Sequence, residues 1–357
     1  MKIGRVVVHP LRLPLPRPLK TSIHDIRAVD TVLVELQGEG GAVGSGYCFV
    51  FGDRRARALQ ALVEDLVPLY EGQDASATRA LFDRAWRSIN FLGHAGVAVM
   101  ALAALDTACW DLAAQAAGLP LWRFLGAAQN RVPTYASSGL WLDRSIDELV
   151  TEARGFLAAG HRAMKMRLGR PHDEDLARAR ALRAALGPDV RLLADVNQGW
   201  DVTTAIRTGT ALEEIGLYWL EEPVPADDFA GYQRIAAALD MRVVGGETHF
   251  TRYDLRPFFV NPCLPILQPD PMRGGMTDLR KIAALADTFG ITIAPHLFPE
   301  LNVHLLASIP NGIWCENMGL IDDLWVDPPE IANGMITAPE RPGHGLRFKE
   351  EVLKFRI

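Results

Sequence analysis

From about residue 130 onward, short apolar runs alternate with longer segments of helical period. Eight runs have the length and composition of buried strands: VPTYA, RAMKM, VRLLAD, LYWLEE, RVVGGE, PILQPD, ITIAPH and IWCEN. The segments between them, such as DELVTEARGFLAAG and TDLRKIAALADTFG, repeat apolar residues at helical spacing. Eight strands with intervening helices predict an α/β fold, a parallel TIM-like barrel whose chemistry lies at the C-terminal strand ends.

The chain before this region has a different pattern. IGRVVVHPLRL and TVLVELQGEGGAVGSGYCF predict antiparallel strands with a glycine-rich hairpin, and helical segments follow up to about Leu125. After about Asp327 the chain is rich in proline and glycine and ends in the strand-like segment LRFKEEVLKFRI. We therefore predict an α+β domain over 1-125, a barrel over 126-326, and a terminal segment over 327-357 that packs on the first domain.

Acidic residues stand at the ends of three successive predicted strands. Asp195, Glu221 and Glu247 are separated by 26 residues and again by 26, which is the length of one strand–helix unit. Because the three residues lie at the same level on neighbouring parallel strands, we expect their carboxylates to lie close together. Hard oxygen ligands of this kind suit Mg²⁺, which can polarise a substrate carboxylate.

The neighbouring strand ends supply candidates for proton transfer. His296 can titrate near neutral pH and is the candidate base, with Asp270 on the next strand to orient its imidazole. Lys165 and Arg167 lie two residues apart on the second strand. Arg167 is effectively never deprotonated, so it is a poor base but a good clamp for a carboxylate or hydroxyl, whereas Lys165 can serve as an acid–base group or as a charge partner.

Two further polar residues complete this set. Asn197 follows Asp195 by two positions, which predicts the same facing and a bond to a substrate hydroxyl. Glu316 can share a proton with the second carboxylate oxygen of the substrate if it is protonated in the complex.

Composition excludes several functional classes. The 357 residues are 49% hydrophobic and 22% charged, as in ordinary globular proteins, and the net charge of -6 comes without a basic cluster that would bind nucleic acid. The longest apolar run, Val97 to Leu105, is too short to cross a bilayer, and the proline-broken start lacks a signal peptide. We predict a cytoplasmic protein that acts on a small molecule, with no nucleic-acid or membrane partner.

Several motifs resemble those of the mandelate racemase subgroup of the enolase superfamily, within the mandelate racemase/muconate lactonizing enzyme family. They cover essentially the whole chain and read GAVGSGY, ALAALDTACWDLAAQ, KMR, ADVNQGW, WLEEPV, GGET, QPDPMRGGMTD, APHLFPE and PGHGLRF. The resemblance implies a (β/α)7β barrel with an α+β capping domain, one Mg²⁺, and removal of the α-proton of a carboxylate. It also implies a homo-oligomer. The matching positions imply that Asp195, Glu221 and Glu247 bind the metal and that Asp270 and His296 form the catalytic pair. They also imply that Glu316 is the partner of the substrate carboxylate and that Lys165 is the family's lysine on the second strand.

One position departs from the family pattern. Racemases of this subgroup have a second lysine as the base on the other substrate face, where this chain has Arg167. A racemase needs two acid–base groups, whereas a dehydratase can use His296 first as base and then as acid. The departure favours a lyase, a dehydratase of a sugar acid (aldonate or aldarate) that forms a 2-keto-3-deoxy acid, over a racemase or epimerase of a 2-hydroxy acid.

Substrate choice is expected to depend on loops of the capping domain. The segments RPLKTSIHDIR, which includes His24, and FGDRR are the predicted lids, and their polar content favours a polyhydroxy acid or a diacid. Two alternatives outside this chemistry are a Schiff-base aldolase that uses Lys165 and a non-catalytic acid-binding protein. Neither needs the row of strand-end carboxylates together with a histidine–aspartate pair.

Overall fold

A computed structural model describes the whole chain, Met1–Ile357. The first part is a three-stranded antiparallel sheet in the order β1-β2-β3, followed by helices. Its elements are β1 Ile3–Lys20, β2 Asp25–Gly38, β3 Val43–Val50, α1 Asp53–Leu66, α2 Thr78–Ser88, α3 Gly96–Ala116 and α4 Leu121–Phe124. This arrangement is the predicted α+β capping domain.

The second part is a parallel barrel with eight strands and seven intervening helices. Its strands are β4 Arg131–Ala136, β5 Ala163–Arg167, β6 Arg191–Asp195, β7 Trp219–Glu221, β8 Arg242–Gly245, β9 Ile266–Leu267, β10 Thr292–Ile293 and β11 Cys315–Asn317. Its helices are α5 Ile146–Ala158, α6 His172–Leu186, α7 Val202–Ile215, α8 Phe229–Ala238, α9 Thr251–Val260, α10 Gly275–Thr288 and α11 Pro299–Leu306. Pairing of β11 with β4, together with a parallel bridge from Ile293 of β10 to Gly312 just before β11, closes the ring. The predicted (β/α)7β fold is confirmed.

Local signals in the sequence explain where these helices begin and end. Helix α5 starts with a capping box, in which Ser145 and Glu148 satisfy each other's backbone N–H groups. Helix α7 ends at Gly216, whose φ of 81° is the left-handed conformation that glycine adopts without strain. Such caps keep the connections short, so each strand end is held close to the next.

Large side chains fill the barrel below its C-terminal mouth. Tyr135 and Trp219 meet edge to face with ring centroids 5.3 Å apart. Smaller apolar residues from four further strands, and Ala294 directly after β10, complete this layer. The interior is therefore a packed floor rather than a pore. Polar groups at the strand ends lie above this floor and away from bulk water.

Helix α3 joins the two parts of the molecule. On one side it approaches β3 so closely that a Cβ at Gly46 would lie 2.1 Å from the carbonyl oxygen of Ala104. On the other side Asp106 accepts hydrogen bonds from the N–H (2.8 Å) and hydroxyl (2.6 Å) of Thr277 in α10. The helix is long and apolar enough to span a membrane, but 94% of its most apolar window is buried inside the protein, as in a core helix.

The end of the chain returns to the capping domain. Its short elements are β12 Ile331–Ala332 and β13 Met335–Thr337, which form a hairpin beside β4, and the 3-10 helix Glu350–Phe355. The predicted strand over LRFKEEVLKFRI is wrong, since this segment makes only isolated bridges at Phe348 and Arg356 and forms a 3-10 helix between them. Leu346 and Val352 anchor this segment in the core of the capping domain. The boundary residues between the domains stay predictions.

Candidate active site

Three carboxylates from successive strands meet at the C-terminal mouth of the barrel. Asp195 and Glu221 end β6 and β7 in direct register, and Glu247 follows the end of β8. Their side chains are 2%, 0% and 13% exposed. Burial and mutual repulsion raise the pKa of Glu221 to about 8 and also raise the pKa of Glu247.

A lysine ammonium lies among these carboxylates. Nζ of Lys165 is 2.7 Å from Glu221, 2.9 Å from Glu316 and 3.5 Å from Asp195. Burial opposes the charged form, but the three carboxylates outweigh it and raise the pKa of Lys165 well above its ordinary value. Lys165 is therefore a fixed cation in this structure.

Two of the strand-end carboxylates have an oxygen atom without a hydrogen-bond partner. The Oε2 atoms of Glu221 and Glu247 are buried and lack any hydrogen-bond partner. The three carboxylates do not form a closed ligand cluster, because the Lys165 ammonium lies between two of them. Their chemistry nonetheless fits a hard divalent cation, which would satisfy the unpartnered oxygens and balance the excess negative charge.

His296 and Asp270 form a pair on the other side of the mouth. The imidazole Nδ1 donates to Oδ2 of Asp270 at 2.6 Å, and Asp270 is itself held by the N–H of Met272. This leaves Nε2 facing the cavity, 3.5 Å from Glu247. Burial disfavours the imidazolium, but Glu247 and Asp270 raise the pKa of His296 to about 10.

Glu316 has both oxygens engaged. Oε1 accepts from the hydroxyl of Ser137 at 2.6 Å, and Oε2 accepts from the N–H of Leu297 at 2.8 Å. Burial favours protonation, yet Lys165, His296 and Arg167 hold the pKa of Glu316 well below its ordinary value. In this structure Glu316 is thus an acceptor, whereas the predicted role requires its protonated form in the complex.

Arg167 is buried beside this network with unused donors. Its guanidinium lies over the ring of Trp141 at 4.6 Å and donates from Nη2 to Ser137 at 3.1 Å. Nε and Nη1 have no hydrogen-bond partner, although Nε is 3.5 Å from Asp195. A guanidinium that is 3% exposed and faces a cavity with free N–H groups is suited to bind an oxygen ligand.

Asn197 reaches the cavity by a route that strand alternation does not explain. The strand ends at Asp195, and Asn197 adopts a positive φ of 48°. Its backbone N–H and its Nδ2 both donate to the carboxylate of Asp195, which leaves Oδ1 unpartnered. The residue therefore lies in the cavity as predicted, but in a turn.

Backbone strain is concentrated around the barrel mouth. Gln198 and Glu222 also have positive φ, as do Leu297 and Phe298 directly after His296. Non-glycine residues in this conformation cost energy and persist where surrounding contacts fix them. These turns follow the strand ends, and their side chains lie at the barrel mouth.

The capping domain closes the mouth and forms a cavity of about 410 Å³ with the barrel. The two predicted lid segments contribute His24 and Ile23 from the first and Phe51 and Arg55 from the second. Apolar groups account for 12 of the 25 lining residues, so the cavity is less polar than the lid sequences suggested.

Sequence reasoning missed Ser137, which bridges Arg167 and Glu316, and Glu222, which lines the cavity. Ser137 directly follows β4, and the strand-end rule that selected Lys165 could have found it. Glu222 is buried and accepts from Gln198 and Thr248, both at 3.0 Å. Glu222 adopts a positive φ of 39°, and the sequence carries no clear signal for that conformation.

Two family models match the chain. One, described as the mandelate racemase / muconate lactonizing enzyme N-terminal domain, matches residues 2–126, and the other, described as enolase C-terminal domain-like, matches residues 148–352. The chain belongs to the mandelate racemase subgroup of the enolase superfamily.

Relatives of this subgroup are similar over almost their full length. The 3,6-anhydro-alpha-L-galactonate cycloisomerase of Streptomyces coelicolor is 35% identical over 348 residues, 96% of each chain. A Streptomyces coelicolor racemase structure with bound magnesium has a TM-score of 0.96 at 34% identity, covering 99% of this chain and 100% of that one. The L-talarate dehydratase of Polaromonas, complexed with Mg and L-glucarate, has a TM-score of 0.92 at 31% identity, with 99% and 97% coverage.

Proposed function

We propose that this protein is a Mg²⁺-dependent lyase that removes the α-proton of a sugar acid and eliminates the β-hydroxyl to form a 2-keto-3-deoxy acid. The observation that carries this proposal is the His296–Asp270 pair, whose Nε2 faces a cavity that Asp195 and Glu247 also line, with Glu221 buried beside Asp195 on the neighbouring strand. Two relatives support the same chemistry: a cycloisomerase named for a sugar acid, and a dehydratase whose structure contains Mg and L-glucarate.

Asp195, Glu221 and Glu247 would hold the cation. When bound, Mg²⁺ supplies positive charge at the substrate carboxylate and so lowers the cost of the enolate. The unpartnered oxygens of Glu221 and Glu247 support this ligand set. Lys165 would then remain as a cation beside the substrate carboxylate, with Glu316 on its other side.

His296 would move both protons. In this structure Glu247 and Asp270 favour the imidazolium, and a cation held by Glu247 would offset that negative charge and so favour the neutral imidazole. The neutral Nε2 would then take the proton from the α-carbon while Asp270 stabilises the resulting imidazolium. The enolate then expels the β-hydroxyl, which leaves as water with the proton that His296 returns. The enol that remains tautomerises to the keto acid, so one substrate gives one 2-keto-3-deoxy acid and one water.

Arg167 and Asn197 would position the substrate. The free N–H groups of Arg167 donate to a substrate oxygen, and the free Oδ1 of Asn197 accepts from a hydroxyl. His24 lines the cavity from the lid and would contact the distal end of the substrate.

A second candidate is opening of a cyclic sugar acid by the same enolate chemistry. Loss of a β-ring oxygen instead of a β-hydroxyl isomerises the substrate without releasing water. The apolar lid residues Ile23 and Phe51 and the 35% identical cycloisomerase favour it. A racemase or epimerase is the remaining alternative, and Arg167 opposes it because arginine cannot exchange a proton on the second face.

The test is a screen of aldonates, aldarates and their anhydro forms with Mg²⁺ in deuterated water. Keto acid formation, product mass and α-deuterium content distinguish the three reactions. We expect His296→Asn to lower the keto acid rate by about 10²–10⁴-fold, while His172→Asn, outside the cavity, leaves it unchanged. Exchange with change of configuration and no keto acid from any substrate would refute elimination.

The cellular context is also part of the proposal. We infer a cytoplasmic enzyme that binds a small carboxylate and forms a homo-oligomer, without nucleic-acid or membrane partners. The net charge of -6 and the absence of a basic cluster support the exclusion of nucleic acid.

A further inference from the structure

The tip of the β1–β2 hairpin forms a compact turn over the barrel mouth. Thr21 organises it, since its N–H donates to the carbonyl of His24 and its hydroxyl accepts from the N–H of His24, both at 3.0 Å. Residues on both sides of Ser22, namely Thr21 and Ile23, line the cavity. The position of this turn therefore decides how the cavity is covered.

Ser22 attaches the turn to the barrel. Its hydroxyl donates to the carbonyl oxygen of Val196 at 2.5 Å and lies 3.3 Å from the carbonyl oxygen of Asn197. These carbonyls directly follow Asp195 at the end of β6. The contact thus joins the lid to the strand end that carries a proposed metal ligand.

Two glycines make the space that Ser22 occupies. A Cβ at Gly199 would lie 2.8 Å from the Ser22 hydroxyl and 2.9 Å from its Cβ. A Cβ at Gly169 would lie 2.7 Å from the Cβ of Ser22. Gly169 follows β5 and Gly199 follows β6, so Ser22 fits between two loops that only glycine leaves open.

We propose that Ser22 is a positioning residue that holds the lid closed over the substrate. The carbonyls of Val196 and Asn197, together with Gly169 and Gly199, form a socket for Ser22. The Ser22 hydroxyl bound there holds Ile23 and His24 against the cavity. The proposal rests on the proposed function only in taking this cavity as the substrate site.

Limited trypsin digestion measures lid position without turnover. Lys20 and Arg27 flank the tip and are exposed, so cleavage after them reports the population in which the lid has lifted. Loss of one hydrogen bond predicts about two- to tenfold faster cleavage in Ser22→Ala. Gly199→Ala keeps the hydroxyl but blocks the socket, and it should accelerate cleavage at the same two sites.

Ser88→Ala is the matched control. Its hydroxyl also donates to a backbone carbonyl, that of Ala85 at 2.8 Å, but at the end of α2 away from the lid. Cleavage after Lys20 and Arg27 should be unchanged in this variant. Equal rates in the wild type, Ser22→Ala and Gly199→Ala would overturn the proposal.

Steady-state kinetics with an active sugar acid adds a second readout. We expect KM to rise by the same factor as cleavage in Ser22→Ala, with a smaller change in kcat. Faster cleavage with unchanged KM would overturn the substrate-holding role. A protein without activity toward any acid would refute the proposed function, whereas the digestion would still decide whether Ser22 holds the lid.

Discussion

Lys165 and Arg167 are two cations on β5, and they differ in their ability to act as a general base. Lys165 is surrounded by carboxylates that raise its pKa, which disfavours the neutral amine that a Schiff-base aldolase needs. Arg167 carries a guanidinium, which is a poor general base but a good donor to oxygen ligands. Under the proposed function we therefore expect proton transfer only on the His296 side of the cavity, an asymmetry set by single residues.

Arg167→Lys tests this asymmetry. A lysine there can lose its proton, so we expect α-deuterium exchange from the second face, which the wild type lacks. Keto acid formation should fall by about ten- to hundredfold because the charged hydrogen bonds to the substrate are lost. Proton NMR of each α-epimer in deuterated water measures both effects.

Arg170→Lys is the control, since Arg170 donates to the carbonyl of Leu142 outside the cavity. It should match the wild type in both measurements. If Arg167→Lys shows no second-face exchange and keeps full elimination, the guanidinium does not determine the side of proton transfer.

The N-terminus of helix α10 is capped by a residue of the capping domain. The sequence TDLRKIAALADTFG predicts the helix, but its N-terminal cap comes from Asp106, in α3 of the capping domain. Trp110 adds a hydrogen bond to the hydroxyl of Thr277 at 2.8 Å. The cap holds the two domains together just beyond the strand that leads to Asp270.

Asp106→Ala should therefore destabilise the whole protein. Removing the carboxylate leaves the buried N–H and hydroxyl of Thr277 without their acceptor, which costs about 1–3 kcal/mol. Chemical denaturation gives the free energy of unfolding. Asp65→Ala, at an exposed position on α1, should change it by less than about 0.5 kcal/mol. Equal effects of the two substitutions would contradict the capping role.

At the scale of the molecule, buried negative charge at the barrel mouth links metal binding to stability. Glu221 and Glu247 have raised pKa values because burial and their neighbours oppose their ionisation. A cation that binds only the folded state stabilises it by about 2.7 kcal/mol at one hundred times Kd. The proposed site therefore predicts a magnesium-dependent rise in Tm.

Thermal unfolding with and without MgCl₂ checks this expectation without any substrate. The rise in Tm should be lost in Glu221→Gln, and NaCl of equal ionic strength should not reproduce it. An equal rise in wild type and Glu221→Gln would place the effect elsewhere. Activity retained in excess chelator would separately refute the role of the metal in catalysis.

The sequence determined the barrel, the row of strand-end residues and the family. Hydrophobic periodicity is local, so eight strands could be read directly, and a constant unit length put Asp195, Glu221 and Glu247 at one level. The His296–Asp270 contact followed from the same rule and is present at 2.6 Å.

Only the tertiary structure decided what surrounds these groups. Asn197 and Glu222 lie in strained turns at the barrel mouth. Other contacts join residues that are far apart in the chain: Ser137 bridges Arg167 and Glu316, and Ser22 bonds the carbonyl of Val196. Such contacts depend on side-chain direction and on the packing of one domain against the other. Periodicity along the sequence does not encode those quantities. For the same reason the pattern predicts a strand where the structure has the 3-10 helix Glu350–Phe355.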